Sequence, residues 1–81
     1  MFNLENKVLT IDGTNKYLVV ETVHFMGRTF VYLVNDTNPL DSMYREVVSI
    51  DAWKIIQIDP TLFKDKILPL FIEKFKSYRK Y

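Results

Sequence analysis

The chain has no cysteine, one histidine, one tryptophan, two glycines and three prolines among its 81 residues. Without cysteine there is no disulfide framework, no thiolate nucleophile and no cysteine-ligated zinc or iron–sulfur centre. The lone His24 has no second imidazole with which to share a metal, and no Ser–His–acid order accompanies it. Gly13 and Gly27 stand fourteen residues apart, so neither GxxxxGK[ST] nor GxGxxG can be written and nucleotide binding by those loops is excluded. Long hydrophobic runs are also missing. The longest uncharged apolar stretch, Ile67 to Ile72, is far below the roughly 20 residues that span a bilayer. Met1 to Lys7 places Glu5 and Lys7 where a signal peptide needs an apolar stretch, which predicts no export signal and a cytoplasmic location.

The chain is rich in large side chains. Six Phe, five Tyr and Trp53 each bring roughly 150–250 Å² to bury, more than a core of this size can enclose. The excess predicts aromatic surface at a boundary or an interface, and hence a homodimer. Phe, Tyr, Met, Ile, Asn and Lys make up 34 residues against nine for Gly, Ala, Arg and Pro, the coding bias of an AT-rich genome. The length predicts one domain, residues 1–81, with a β-sheet portion over 7–58 and a helical portion over 60–80.

Lys7 to Ile11 reads as a strand closed by the hairpin signal Asp12-Gly13. Lys16 to Phe25 is too rich in β-branched and aromatic residues for a helix. Alternation makes its odd positions, Tyr17, Val19, Glu21, Val23 and Phe25, the better core face. Gly27 marks the next turn, and Thr29 to Val34 is apolar on both sides of the pleat, as a central strand would be. Asn35 to Ser42 reads as the one long solvated loop. Met43 to Ile50 follows, with Tyr44, Glu46, Val48 and Ile50 on one side and Met43, Arg45, Val47 and Ser49 on the other. Asp51-Ala52 is a tight turn and Trp53 to Ile58 the last strand. Short strands joined in sequence predict a five-stranded antiparallel meander, either an open sheet or a small SH3-like partly closed barrel.

Asp59-Pro60 opens a helix, because Asp is a good N-cap and proline's missing N–H has no partner at the first helical position. Phe63, Ile67, Leu70, Phe71, Phe75 and Tyr78 recur at helical spacing and form one apolar stripe. Pro69 cannot donate to the Asp65 carbonyl, so the helix should be kinked or split there, roughly into 60–67 and 69–79. Leu62 and Ile72 lie off the stripe, as a break that rotates the two halves would explain. The predicted class is α+β, a meander with a C-terminal amphipathic helix.

Catalysis finds few candidates. Glu21 and Glu46 would form an acid–base pair only if their strands were adjacent. The expectation is a non-enzymatic chain with no cofactor and no metal. The net charge of +1 hides a division: five basic and eight acidic residues through Asp59, then six basic and two acidic from Pro60 onward. The last eight residues carry Lys74, Lys76, Tyr78, Arg79, Lys80 and Tyr81, interleaving cations with rings. Cations at a helix C-terminus interact favourably with the helix dipole, which accounts for much of this pattern. Such a segment also suits a second copy of the chain or an acidic protein, or, as an alternative, phosphates and unpaired bases. The sequence therefore predicts a non-catalytic protein-interaction or self-associating domain, with a nucleic-acid-binding module as the rival.

The run Val8-Leu-Thr-Ile-Asp-Gly13 followed by Lys16-Tyr-Leu-Val-Val20 and Thr29-Phe-Val-Tyr-Leu-Val34 resembles a pattern common in small uncharacterised proteins of low-GC Gram-positive bacteria and their mobile elements. The resemblance runs over about residues 7 to 75 and includes the acidic-Pro helix start. It implies a β-rich domain of unknown function and carries over no functional residue. The opening is also similar to that of small SH3-like barrels, some of which bind nucleic acid or proteins, an analogy of fold.

Overall fold

The computed structural model describes residues 7–11, 13, 15–49 and 54–77. Five strands, β1 (Val8–Ile11), β2 (Asn15–Phe25), β3 (Arg28–Asn35), β4 (Ser42–Ser49) and β5 (Lys54–Ile56), pair antiparallel in the order β1-β2-β3-β4-β5. This is the expected meander, with β3 at its centre. The β1–β2 connection closes with Ile11 opposite Asn15 and Gly13 at a φ of +75°. Two residues join β2 to β3: Met26 and Gly27, both left-handed at φ 51° and 75°, the type I′ geometry that matches strand twist. Met26 lacks the Asn or Gly usual there, and its side chain is 84% exposed.

The odd-numbered face expected for β2 requires correction. Val19 pairs with Leu33 but Glu21 pairs with Tyr32, so Val20 is an extra residue, a β-bulge. Cross-strand partners share a face. Tyr17 and Val19 therefore lie on one side of the sheet with Leu33, while Glu21, Val23 and Phe25 lie on the other with Tyr32 and Phe30. Both halves of the odd row are engaged, in two different cores. A second irregularity between Val47 and Ser49 leaves Val48 exposed at the top of β4.

On the first face Leu9, Tyr17, Val19, Val31, Leu33 and Val47 are buried, with Ile11, Met43 and Ile55 packed beside them. Among the described residues, no helix contributes to this cluster. Side chains from β1 and β5, the two ends of the order, meet in it because the sheet curls into a half-barrel around it.

The second face is covered by the C-terminal helix, which has three joined pieces: α1 (Pro60–Leu62), a π-helical turn (Phe63–Ile67) and α2 (Leu68–Ser77). Asp59 caps it, its carboxylate accepting the Leu62 N–H at 3.0 Å. The division expected near Pro69 takes the form of the π turn just before it. The Leu68 N–H reaches back five residues to the Phe63 carbonyl, and the locally wider helix accommodates the proline ring and the missing donor. The extra residue also shifts the helical phase, which brings Leu62 onto the packed side. Phe63, Ile67, Leu70, Phe71 and Phe75 of the predicted stripe all pack into this second core with Val23, Phe30, Tyr32 and Tyr44; Tyr78 lies outside the described residues. Tyr44 is its hub, with ring centroids 4.8 Å from Tyr32, 4.8 Å from Phe63 and 4.9 Å from Phe71.

The long loop after β3 is solvated along Asp36 to Leu40 but held at its ends. Asn35 Oδ1 accepts the Thr37 N–H and hydroxyl at 2.9 Å and the Asn38 N–H at 3.2 Å. Tyr17 donates its hydroxyl to Asp41 Oδ2 at 2.7 Å. The β5 strand is shorter than the sequence pattern suggests: Gln57 and Ile58 leave the sheet to lead into the helix cap, and Ile50 to Trp53, including the expected Asp51-Ala52 turn, lie outside the described residues.

Two stability measurements follow from this packing. Phe71→Ala removes a fully buried ring and should lower the unfolding free energy by about 3–5 kcal/mol in urea denaturation. Met26→Asn places a residue tolerant of left-handed φ in the type I′ turn and should raise it by about 1 kcal/mol.

Candidate functional site

Register places the ends of the sheet unequally. The β1 strand pairs with Asn15 to Leu18 at one end of β2, and the Lys7 carbonyl accepts the Val19 N–H at 2.8 Å. At the opposite end of the sheet, β5 pairs with Glu46 to Ser49 of β4. Among the described residues, β2 continues past β1, and β4 from Ser42 to Arg45 has no strand on its outer side. The helix crosses the sheet on the diagonal between these two lengths of edge. Its start, with Ile58, Pro60 and Phe63, sits by Tyr44 and Arg45, and its end, with Leu70, Lys74 and Ser77, by Val23 and His24. A groove lies at each end.

At the helix end, Val23, His24, Leu70, Glu73, Lys74 and Ser77 line a groove of about 470 Å³. Val23 and Leu70 are its apolar members and the others form a polar rim. Beside it Glu21, only 3% exposed, accepts the Thr22 N–H at 3.0 Å, and its carboxylate lies 3.7 Å from Lys74 Nζ. A buried carboxylate is costly unless paired, so this contact ties α2 to β2 through charge as well as apolar packing. His24 is exposed and shares a hydrogen bond with Thr29 across the hairpin, Nδ1 to Oγ1 at 3.2 Å.

At the helix start, Tyr44, Arg45, Gln57, Ile58, Pro60 and Phe63 line a smaller groove of about 290 Å³. Arg45 Nη1 donates to the Tyr44 carbonyl at 2.7 Å, fixing the guanidinium against the outer side of β4. Burial raises the Tyr44 phenol above its ordinary pKa, with the neighbouring Tyr32 adding to the effect, so it stays neutral through the physiological range.

The paired-carboxylate possibility is resolved by the strand order. Glu21 and Glu46 share the helix-covered face, but β3 lies between them: their strands are about 10 Å apart, two strand spacings, and the two residues are further offset by two positions along the sheet. Each has its own cation. Glu46 is buried and takes a bidentate grip from Arg28, Nε to Oε2 at 2.9 Å and Nη2 to Oε1 at 2.7 Å, while the guanidinium lies 5.4 Å from the Phe30 ring centroid. That hydrogen-bonded pairing holds the Glu46 pKa below its ordinary value against the opposing effect of burial. Among the described residues, no three His, Asp or Glu side chains converge as metal ligands.

Of the basic-aromatic segment, Lys74 is half exposed and contacts Glu21, and Lys76 is exposed. Phe75 packs 5.6 Å from Tyr32 and 6.1 Å from Phe71, which commits its ring to the core. Tyr78, Arg79, Lys80 and Tyr81 lie outside the described residues. Sequence reasoning missed both ion pairs. The one signal was a single Glu inside each otherwise apolar strand row, which calls for a cation without saying which. Nothing in the local pattern marked the Arg45 groove. Among known proteins, no family model matches the chain, and neither a curated protein nor a solved structure matches it.

The Arg28–Glu46 pair has a definite pH signature. A carboxylate whose folded pKa is depressed contributes stability that is present above the unfolded value of about 4.3 and is lost as pH falls through the lower folded value. Arg28→Gln leaves Glu46 buried without its cation and reverses that preference. The difference in urea midpoint between wild type and R28Q should be largest near neutrality and narrow toward pH 3; a constant gap would mean that Glu46 does not titrate against Arg28.

Proposed function

We propose that this chain is a non-catalytic protein-interaction domain that associates with a second copy of itself through the groove between β2 and α2. The observation that carries this reading is the groove itself: an apolar floor of Val23 and Leu70 with a rim bearing both signs of charge, Glu73 and Lys74, and Lys76 three residues on from Glu73 along the same helix. A two-fold contact sets each surface against its own image, so a rim carrying both signs is self-complementary. Apolar floor and polar rim is also the ordinary anatomy of a protein interface. The two buried carboxylates, each held by its own cation on either side of β3, favour binding over acid–base chemistry. The nucleic-acid alternative draws less support, because Phe75 is packed against Tyr32 and Phe71, which removes one ring of the segment that suggested it.

Light scattering coupled to size exclusion tests the reading. The expected result is a dimer at high micromolar concentration. Lys76→Glu should weaken it by about two- to thirtyfold, since each exposed pair contributes about 0.2–1 kcal/mol and occurs twice in a two-fold contact. The exchange Glu73→Lys with Lys76→Glu should restore association by swapping the signs. A monomer throughout, or a dimer indifferent to the single reversal, overturns the proposal.

A further inference from the structure

We propose that the groove at the outer side of β4 is a binding site for a small molecule that joins an aromatic ring to a carboxylate. This site lies at the opposite end of the helix from the self-association groove and is independent of that reading. Its walls come from residues the fold holds still. Tyr44 and Phe63 line it side by side, with ring centroids 4.8 Å apart and planes inclined at 51°. Tyr44 is further held by Phe71 and Tyr32, and Ile58 and Pro60 complete the apolar lining. Such a wall needs no rearrangement to accept a ring, whose offset or edge-on contact is worth about 0.5–1.5 kcal/mol beyond area burial.

The polar part is Arg45. Among the described residues that line the groove it is the one charged side chain, and Gln57 is the one side-chain amide. The guanidinium has five N–H donors, and its one hydrogen bond to the Tyr44 carbonyl positions it without neutralising it. Among the described residues no carboxylate pairs with Arg45, whereas Arg28, the other described arginine, is held along one edge of its guanidinium by both carboxylate oxygens of Glu46. Glu46 and Asp59, the acidic residues adjacent in sequence to this lining, do not line the groove: Glu46 is held by Arg28 and Asp59 accepts the Leu62 N–H. The Tyr44 phenol remains protonated, so the groove's formal charge is positive. A planar, positioned guanidinium beside an aromatic wall matches a planar carboxylate carried on a ring. A volume of about 290 Å³ is at the small end for ligand sites and suits a one- or two-ring compound.

Titration of the intact ¹⁵N-labelled chain with benzoate, followed by amide and side-chain NMR shifts, tests the proposal. A ligand of this size should bind at about 1–10 mM, with shift changes centred on Tyr44, Arg45, Gln57, Ile58 and Phe63. Acetate lacks the ring and benzyl alcohol lacks the charge; each should bind at least about tenfold more weakly than benzoate. Arg45→Gln should weaken benzoate at least tenfold while the amide spectrum keeps its dispersion. If that variant fails to fold, Arg45→Lys, which keeps the charge and loses the planar fork, should weaken it by a smaller factor. The proposal is overturned by no shifts up to 50 mM benzoate, by shifts centred outside these residues, by benzyl alcohol binding as well as benzoate, or by affinity unchanged in a folded Arg45 variant.

Discussion

One extra residue in the longest strand sets the side-chain arrangement of this molecule. One row of alternate residues in a regular strand serves only one face of the sheet, yet the odd row of β2 serves both, because the bulge at Val20 reverses its phase. Before it, Tyr17 and Val19 fill the inside of the curled sheet; after it, Val23 and Phe25 meet the helix. A bulge also bends its strand and increases local twist, which favours the curl that lets Leu9 and Ile55 reach the same cluster from opposite ends of the strand order. Without the phase change Glu21 would point into the apolar first core instead of toward Lys74.

The charge distribution follows from that geometry. Summed along the chain, the sheet portion is acidic and the helical portion basic, yet part of this imbalance is settled inside the molecule. Glu21 contacts Lys74 of the helix, and Glu46 is held by Arg28 from the neighbouring strand. Both carboxylates lie on the covered face, where an unpaired charge is far more costly than on the surface. The charges left at the grooves are accordingly the mixed rim at the helix end and the Arg45 guanidinium at the helix start. Both grooves have the same structural origin: the edge strands β1 and β5 are short and sit at opposite corners, and the helix runs between the other two corners. Short edge strands are a common defence against unwanted sheet extension. Here they also leave room beside β2 and β4 for side chains to line a groove.

Much of the fold was legible from short-range signals. Gly13 and Gly27 mark turns because they tolerate positive φ, Asp59 and Pro60 mark a helix start because a cap and a missing donor belong there, and Phe63 to Phe75 mark its buried face by their spacing. Pro69 announced an irregularity, though not its form; the π turn that resolves it depends on fitting both halves of one helix to a single sheet face. The candidate site was far less legible. Lys74 and Lys76 stood out by charge, but nothing local distinguishes a lysine that meets a buried carboxylate from one that meets solvent.

What the sequence by itself determined was the class and its punctuation: five strands, their turns, an amphipathic helix and the apolar residues it buries. All of these rest on interactions within a few residues along the chain. Tertiary structure alone decided the bulge at Val20, the separation of Glu21 from Glu46 by β3, the cation each one meets, and the grooves at the two ends of the helix. These depend on strand register, which relates residues far apart in the chain. A shift of one residue sends every side chain beyond it to the opposite face.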